Sequence, residues 1–246
     1  ATLFAEWSFT LLMLIFMFIG IFEFSKLYKV NLFSSLALGI LFTIPLIIEK
    51  EYFLKYSFLM LIFEIPFLLY LIFDLFKANF KIYENKIVKH IYLLGYVIFP
   101  FIILTQLPLI KQGYEPLIVI GMFILIWNND TFAYICGKSF GKRKLFEKMS
   151  PKKTIEGFVG GLIFTLIASY ILSIYFTFFD LKTWLLTAVL VSSLGTIGDL
   201  VESKFKRQAN IKDSGSIMPG HGGILDRLDS VIFATPFLFL IYLILK

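Results

Sequence analysis

The residues able to do chemistry are concentrated between positions 198 and 229. Gly198-Asp199-Leu200-Val201-Glu202-Ser203-Lys204-Phe205-Lys206-Arg207 is followed by Lys212-Asp213-Ser214-Gly215 and by Pro219-Gly220-His221-Gly222-Gly223-Ile224-Leu225-Asp226-Arg227-Leu228-Asp229. Five basic residues, Lys204, Lys206, Arg207, Lys212 and Arg227, are interleaved with Glu202, Asp213, Asp226 and Asp229, and Asp199 stands just ahead of them. Carboxylates are the ligands that a hard divalent ion such as Mg²⁺ prefers, and Lys and Arg hold the phosphate oxygens that complete its coordination. Gly220, Gly222 and Gly223 let a backbone approach an anion closely and can form a nest of N–H donors. Asp226 and Asp229, three apart, share a face if a helix starts here. His221 has no second nearby His or Cys for a zinc-type set, since the other histidine is His90, so it reads as orienting a phosphate or a carboxylate.

Two upstream segments add to this. In Trp127-Asn128-Asn129-Asp130-Thr131-Phe132-Ala133-Tyr134, three consecutive polar side chains interrupt an apolar run and must face protein, water or a ligand. Asp130 could reach the same site, or fix Tyr134 or a helix cap. In Ser150-Pro151-Lys152-Lys153-Thr154-Ile155-Glu156-Gly157, Ser150 before Pro151 is a helix-start signal, which predicts Lys152, Lys153 and Thr154 in a first turn. Free N–H groups, two ammonium groups and a hydroxyl there suit a phosphate. A basic loop beside a membrane span is equally what topology alone demands.

The elements that must position these residues are membrane helices. Of 246 residues, 59% are hydrophobic and only 16% charged, and the 30 Phe lie in long runs, which a soluble domain could not hide. Eight apolar stretches of roughly spanning length follow: Leu3 to Phe22, Leu32 to Ile48, Tyr52 to Phe73, Ile91 to Ile110, Leu117 to Ile135, Ile155 to Phe179, Thr183 to Leu200 and Val231 to Leu245. None alternates as a barrel strand would. The expected fold is an all-α, polytopic transmembrane helical bundle, one integral membrane domain over 1–246, with N-terminal spans in 1–115 and catalytic spans and cytoplasmic loops in 116–246.

Lys and Arg collect in alternate loops: Lys26 and Lys29; Lys77, Lys81, Lys86 and Lys89; Lys138 to Lys153; and Lys204 to Arg227. These loops are expected on the cytoplasmic side, the inner face of the inner membrane in a bacterium. Residue 1 then falls outside, and one further N-terminal span would return the start of the chain to the cytoplasm. Glu64 is the one acid deep in the N-terminal spans, where it is either functional or protonated against a neighbouring helix, whereas Glu6 and Glu23 near span ends read as interfacial. The segment from 77 to 90 reads as an interfacial connector touching anionic headgroups. Cys136, the single cysteine, reads as a small apolar residue. The net charge of +6 is accounted for by the loops, so nucleic-acid binding is not expected, and no Walker-type or G-x-G-x-x-G motif is present.

The run Ser203-x-Phe205-Lys206-Arg207, four residues, Lys212-Asp213-x-Gly215, then Pro219-x-His221-Gly222-Gly223-Ile224-x-Asp226-Arg227-Leu228-Asp229 resembles the signature of the CDP-diacylglycerol synthases, or phosphatidate cytidylyltransferases. The resemblance extends to Asp130-Thr131-x-Ala133-Tyr134 and Ser150 to Gly157, so it covers roughly 127 to 236. Met218, Ile155 and Asn210 depart from the usual residues, the last standing where Gly is common; none removes a charge. The resemblance implies transfer of a cytidylyl group from CTP to phosphatidate with Mg²⁺, a second cation such as K⁺ being compatible, and a homodimer is compatible too. It makes Asp199 and Asp226 the expected metal ligands. Lys206, Arg207, Lys212 and Arg227 are expected to hold phosphates, with Asp213 and Asp229 orienting those cations or binding metal through water. Asp130, Ser150, Lys152, Lys153, Thr154, Ser203 and the glycines at 220, 222 and 223 are expected to line the substrates. A CTP-dependent lipid-alcohol kinase and a transporter are the rivals. A transporter predicts functional charge near the bilayer midplane, whereas these groups collect at one end.

Overall fold

The computed structural model describes residues 2–48, 53–77, 85–111, 113–147, 149–211, 214–215 and 222–245. Eight helices run through them: α1 (Glu6–Tyr28), α2 (Leu32–Ile48), α3 (Phe53–Leu75), α4 (Lys86–Leu109), α5 (Pro116–Phe140), α6 (Ile155–Tyr175), α7 (Leu181–Gln208) and α8 (Ile224–Ile244). Seven are long and apolar enough to cross a membrane, and α2 is a shorter apolar helix. The chain is an integral membrane protein of the expected all-α class. Segment 78–84, within the expected interfacial connector, lies outside the described residues. Pro45, Pro66 and Pro236 sit inside helices, which membrane helices tolerate because neighbours satisfy the freed carbonyls.

The charged ends of the last two spans are helix, not loop, and this corrects the expected boundaries. Helix α7 continues past Leu200 to Gln208, because Leu200, Val201, Lys204, Phe205 and Gln208 form one buried stripe at helical spacing. Phe205 enters an aromatic group made by Phe24 and Tyr28 of α1 and Tyr92 and Tyr96 of α4. The Tyr28 hydroxyl donates to Gln208 Oε1 at 2.9 Å. Asn210 then stops the helix in the left-handed conformation, φ 57°, which Asn adopts more readily than other side-chain-bearing residues. Helix α8 starts at Ile224, seven positions before the expected Val231.

Membrane helices have no hydrophobic drive toward one another, so close packing on small residues decides which of them meet. Helices α5 and α6 cross on Ala133 and Gly137 against Gly157 and Gly161; a Cβ on Gly161 would lie 2.9 Å from the Asn129 carbonyl oxygen. Cys136 packs over Gly160, where an added Cβ would stand 2.5 Å from its own Cβ. Helices α7 and α8 close at Gly198, where a Cβ would lie 2.7 Å from the Asp229 carbonyl oxygen. Between α6 and α7, Asp180 caps α7 by accepting from Thr183 N at 2.9 Å. Hydrogen bonds from the Thr183 side chain and backbone hold its carboxyl below the usual range.

Candidate functional site

Ser150–Thr154 does not open a helix. It forms strand β2, paired antiparallel with β1 (Lys144–Phe146). Lys152 and Lys153 therefore belong to a hairpin, and the first turn of α6 begins only at Ile155. Pro151 is tolerated because this sheet has two strands, both edges. Thr154 is the N-cap of α6, accepting from Gly157 N at 3.1 Å. Glu156 accepts from Lys142 N at 3.0 Å and Arg143 N at 3.1 Å, which ties down the approach to β1.

The hairpin, α5, α6 and α7 enclose a cavity of about 420 Å³. Asn129, Asp130, Tyr134 and Lys138 line it from α5, Lys152, Lys153 and Thr154 from β2, and Asp199 from α7. Lys153 Nζ lies 2.5 Å from Asp199 Oδ2, with both side chains partly open to solvent. Ser203 Oγ, one turn along α7, donates to Asp199 Oδ1 at 3.3 Å. Asp229 is buried, accepts from Ser230 N at 2.6 Å, and stands close enough to Asp199, Asp130 and Lys153 to feel their charges. Asn128 Oδ1 and Asn129 Oδ1 are buried without a hydrogen-bond partner among the described residues. The three-residue polar interruption thus delivers Asn129 and Asp130 to the cavity wall.

A second cluster lies where α7 and α8 meet. Lys206 Nζ contacts Glu202 and lies 2.7 Å from Asp226 Oδ1. The other Asp226 oxygen accepts from Gly223 N at 2.7 Å, Ser214 N at 2.8 Å and Ser214 Oγ at 2.9 Å. Gly222 has φ 81°, and a Cβ on it would lie 2.6 Å from Asp226 Oδ2. Asp226 and Asp229 do share a helix, but Asp229 turns toward Asp199 and Asp226 toward Lys206. Arg207 and Arg227 are exposed. Lys212, Asp213, Gly220 and His221 lie outside the described residues.

Sequence reasoning missed Asp74, Tyr96 and the buried position of Glu23. Lys204 is buried and donates to Asp74 Oδ2 at 2.7 Å and to the Asp74 carbonyl, joining α7 to the end of α3. Nothing in the sequence pointed from Lys204 to Asp74. Glu23, expected at an interface, is buried and accepts from Ile224 N and Leu225 N, each at 3.0 Å. Tyr96 is buried near Glu202, Asp229 and Asp199, at a π-helical turn over Leu94–Ile98. Glu64 is fully buried, and neither of its carboxylate oxygens has a hydrogen-bond partner among the described residues.

Among the described residues no three His, Cys, Asp or Glu side chains converge on one point as a closed metal cage. Mg²⁺ does not need one: it is commonly held by one or two carboxylates together with phosphate oxygens and water. Asp199 and Asp130 line the same cavity as the lysines and fit an ion shared with a phosphorylated ligand. Asp226 has both oxygens engaged by Lys206, Ser214 and Gly223.

The fold and this geometry define a polytopic membrane protein with a phosphate-suited polar site at one end of its bundle. The cytidylyltransferase family model matches residues 1–245, and the chain belongs to that family. It is 51% identical over 122 residues to a phosphatidate cytidylyltransferase of Staphylococcus haemolyticus, covering 49% of this chain and 46% of that protein. It is 49% identical over 117 residues to one of Bacillus subtilis, covering 47% of this chain and 44% of that protein. The matched region thus spans about half the length of these curated relatives.

Proposed function

We propose that this protein transfers the cytidylyl group of CTP to phosphatidate, giving CDP-diacylglycerol and pyrophosphate. The observation that carries the reading is the cavity in which Lys138, Lys152, Lys153 and Thr154 face Asp130 and Asp199 at the end of membrane helices. Family membership and the names of the relatives support the same chemistry. A diacyl lipid stays in the bilayer while a nucleotide is soluble, so their phosphates can meet only at a membrane surface. By the distribution of Lys and Arg that surface is the cytoplasmic one. Tyr134 and Phe158 give the cavity an aromatic flank on α5 and α6, beside exposed Val159 and Ile163, where the lipid would approach sideways.

In this reaction a phosphate oxygen of phosphatidate bonds to the α-phosphorus of CTP, and the bond to the β-phosphate breaks with its electron pair leaving on pyrophosphate. A phosphate monoester is largely ionised near neutral pH, so no strong base is required. Lys152 and Lys153 would hold phosphate oxygens, and the Thr154 hydroxyl stands beside them. Lys153 sits on Asp199 at 2.5 Å and would turn to the incoming phosphates as they displace it. Bound Mg²⁺, held by Asp199 with Asp130, would supply countercharge for the leaving pyrophosphate. Lys206, fixed by Asp226 and Glu202, keeps a cation at the α7–α8 junction.

The test is release of pyrophosphate from CTP by the purified protein in lipid, with formation of CDP-diacylglycerol that requires both phosphatidate and Mg²⁺. Absence of turnover in folded protein sinks the reading. Release of CDP with phosphorylation of a lipid alcohol would mean the kinase instead.

A further inference from the structure

The glycine-rich stretch before α8 is the natural place to look for a ligand's phosphate, yet the N–H groups of Gly223, Ile224 and Leu225 are already taken. Gly223 N and Ser214 N donate to Asp226, and Ile224 N and Leu225 N donate to Glu23 Oε1 and Oε2. Ser214 Oγ, whose one proton is shared with the nearer Asp226 Oδ2, lies 3.3 Å from Glu23 Oε2. Glu23 comes from α1, some two hundred positions away in sequence, and is buried. The space around its carboxylate is equally specific. A Cβ on Gly215 would lie 2.9 Å from Glu23 Cδ, and one on Gly223 would lie 2.5 Å from Glu23 Oε2. Both glycines therefore leave room for an internal carboxylate, whereas the sequence pattern assigns Gly223 to a substrate anion.

We propose that Glu23 is a positioning residue of the site. Its carboxylate acts as a built-in anion at the N-terminus of α8, holding Ser214, Ile224 and Leu225 so that Asp226 is presented to Lys206, and Gly215 and Gly223 are glycines because this carboxylate occupies the space of their side chains. A carboxylate is favoured there for the reason any anion is: the first N–H groups of a helix lack intrahelical partners and carry partial positive charge. Each oxygen meets a separate N–H donor, so an amide of the same size cannot replace it. Gln would turn an NH₂ group toward one of the two donors and leave that N–H unsatisfied. The effect on turnover rests on the activity proposed above; the effect on the turn does not.

The experiment compares Glu23→Gln, Glu23→Ala, Gly215→Ala and the Glu23→Ala/Gly215→Ala double variant, all in lipid. Hydrogen exchange of the peptide covering 222–228, thermal unfolding and CTP turnover are read on each. Glu23→Gln is expected to speed exchange of that peptide about tenfold or more and to lower turnover by a similar factor, while exchange in the middle of α8 stays at the wild-type rate. Gly215→Ala is expected to cost about tenfold in turnover in the wild-type background and little in the Glu23→Ala background, since the clash is with Glu23 itself. Equal, independent losses from Gly215→Ala in both backgrounds, or wild-type exchange in Glu23→Gln, overturn the proposal. Should the wild-type protein make no CDP-diacylglycerol, the activity falls, and the exchange data still decide the role of Glu23.

Discussion

Lys153 and Asp199 are held 2.5 Å apart although one stands on a strand of a surface hairpin and the other on the membrane helix α7. The pair joins the two sides of the cavity, with the only strands among the described residues forming one wall. If Lys153 exchanges Asp199 for substrate phosphates, its loss removes charge stabilisation where the leaving group develops. Lys153→Met is then expected to lower kcat/KM by about 10² to 10³. Lys153→Arg, which keeps the charge, should retain more activity. Initial rates of pyrophosphate release check this, and wild-type rates in Lys153→Met would remove Lys153 from the reaction.

Asp199→Asn separates the two partners of that pair. The amide keeps the shape but loses the charge that would hold Mg²⁺, so turnover should fall about hundredfold or more, with weaker dependence on Mg²⁺ concentration. Titrating Mg²⁺ against rate in the variant is the measurement. An unchanged Mg²⁺ curve would assign the ion to other residues.

Lys206 is the shared countercharge of Glu202 and Asp226, and its side chain is only 16% exposed. Lys206→Met leaves the Asp226 carboxylate without its cation beside the buried Glu202 carboxyl, a loss of about 3–5 kcal/mol by comparison with other broken buried pairs. Adding Glu202→Gln should restore part of that stability, because the amide is neutral and still donates a hydrogen bond toward Asp226. Thermal unfolding in detergent decides it: the double variant should melt above the single one.

How much of this was legible in the sequence follows from range. The number of helices was legible because spanning length and hydropathy are local properties, and so was the gathering of Asp130, Lys153 and Asp199 at one end. The boundaries of α7 and α8 were not, because a run of charged residues has the local pattern of a span's end. Glu202 and Lys206 satisfy each other within the helix, and Lys204 is satisfied by Asp74 from another helix. Ser150-Pro151 suggested a helix start, but pairing with Lys144–Phe146 made it a strand, and strand pairing depends on a partner the local pattern does not name. Asn210 stood out as a departure from Gly, and its positive φ gives the reason either residue serves. Glu23 was out of reach: its partners lie at the far end of the chain.

Lys204 and Asp74 form the most buried ion pair described, with side chains 3% and 7% exposed. A buried pair adds little net stability over apolar residues of similar size, yet removing one partner leaves an uncompensated charge. Lys204→Met is expected to destabilise by about 3–5 kcal/mol, and Lys204→Met/Asp74→Leu to recover most of it. A double variant as unstable as the single one would mean that the backbone contact from Lys204 to the Asp74 carbonyl, rather than the charge pair, fastens α3 to α7.

The α7–α8 crossing offers a controlled comparison between two glycines of one helix. A Cβ on Gly198 would lie 2.7 Å from both the Asp229 carbonyl oxygen and Phe233 Cβ, so the helices would have to separate. A Cβ on Gly195 would meet Ser230 Cβ at 3.4 Å, an ordinary contact. Gly198→Ala should therefore cost about 1–3 kcal/mol through overpacking, and it should also lower activity, because Asp199 and Asp229 are carried on the two surfaces forced apart. Gly195→Ala should be neutral or stabilising by up to about 1 kcal/mol, since Ala is the better helix former. Melting and turnover of the two variants measured together test the claim that backbone contact at Gly198 sets the spacing of the carboxylates: equal effects from both substitutions would refute it.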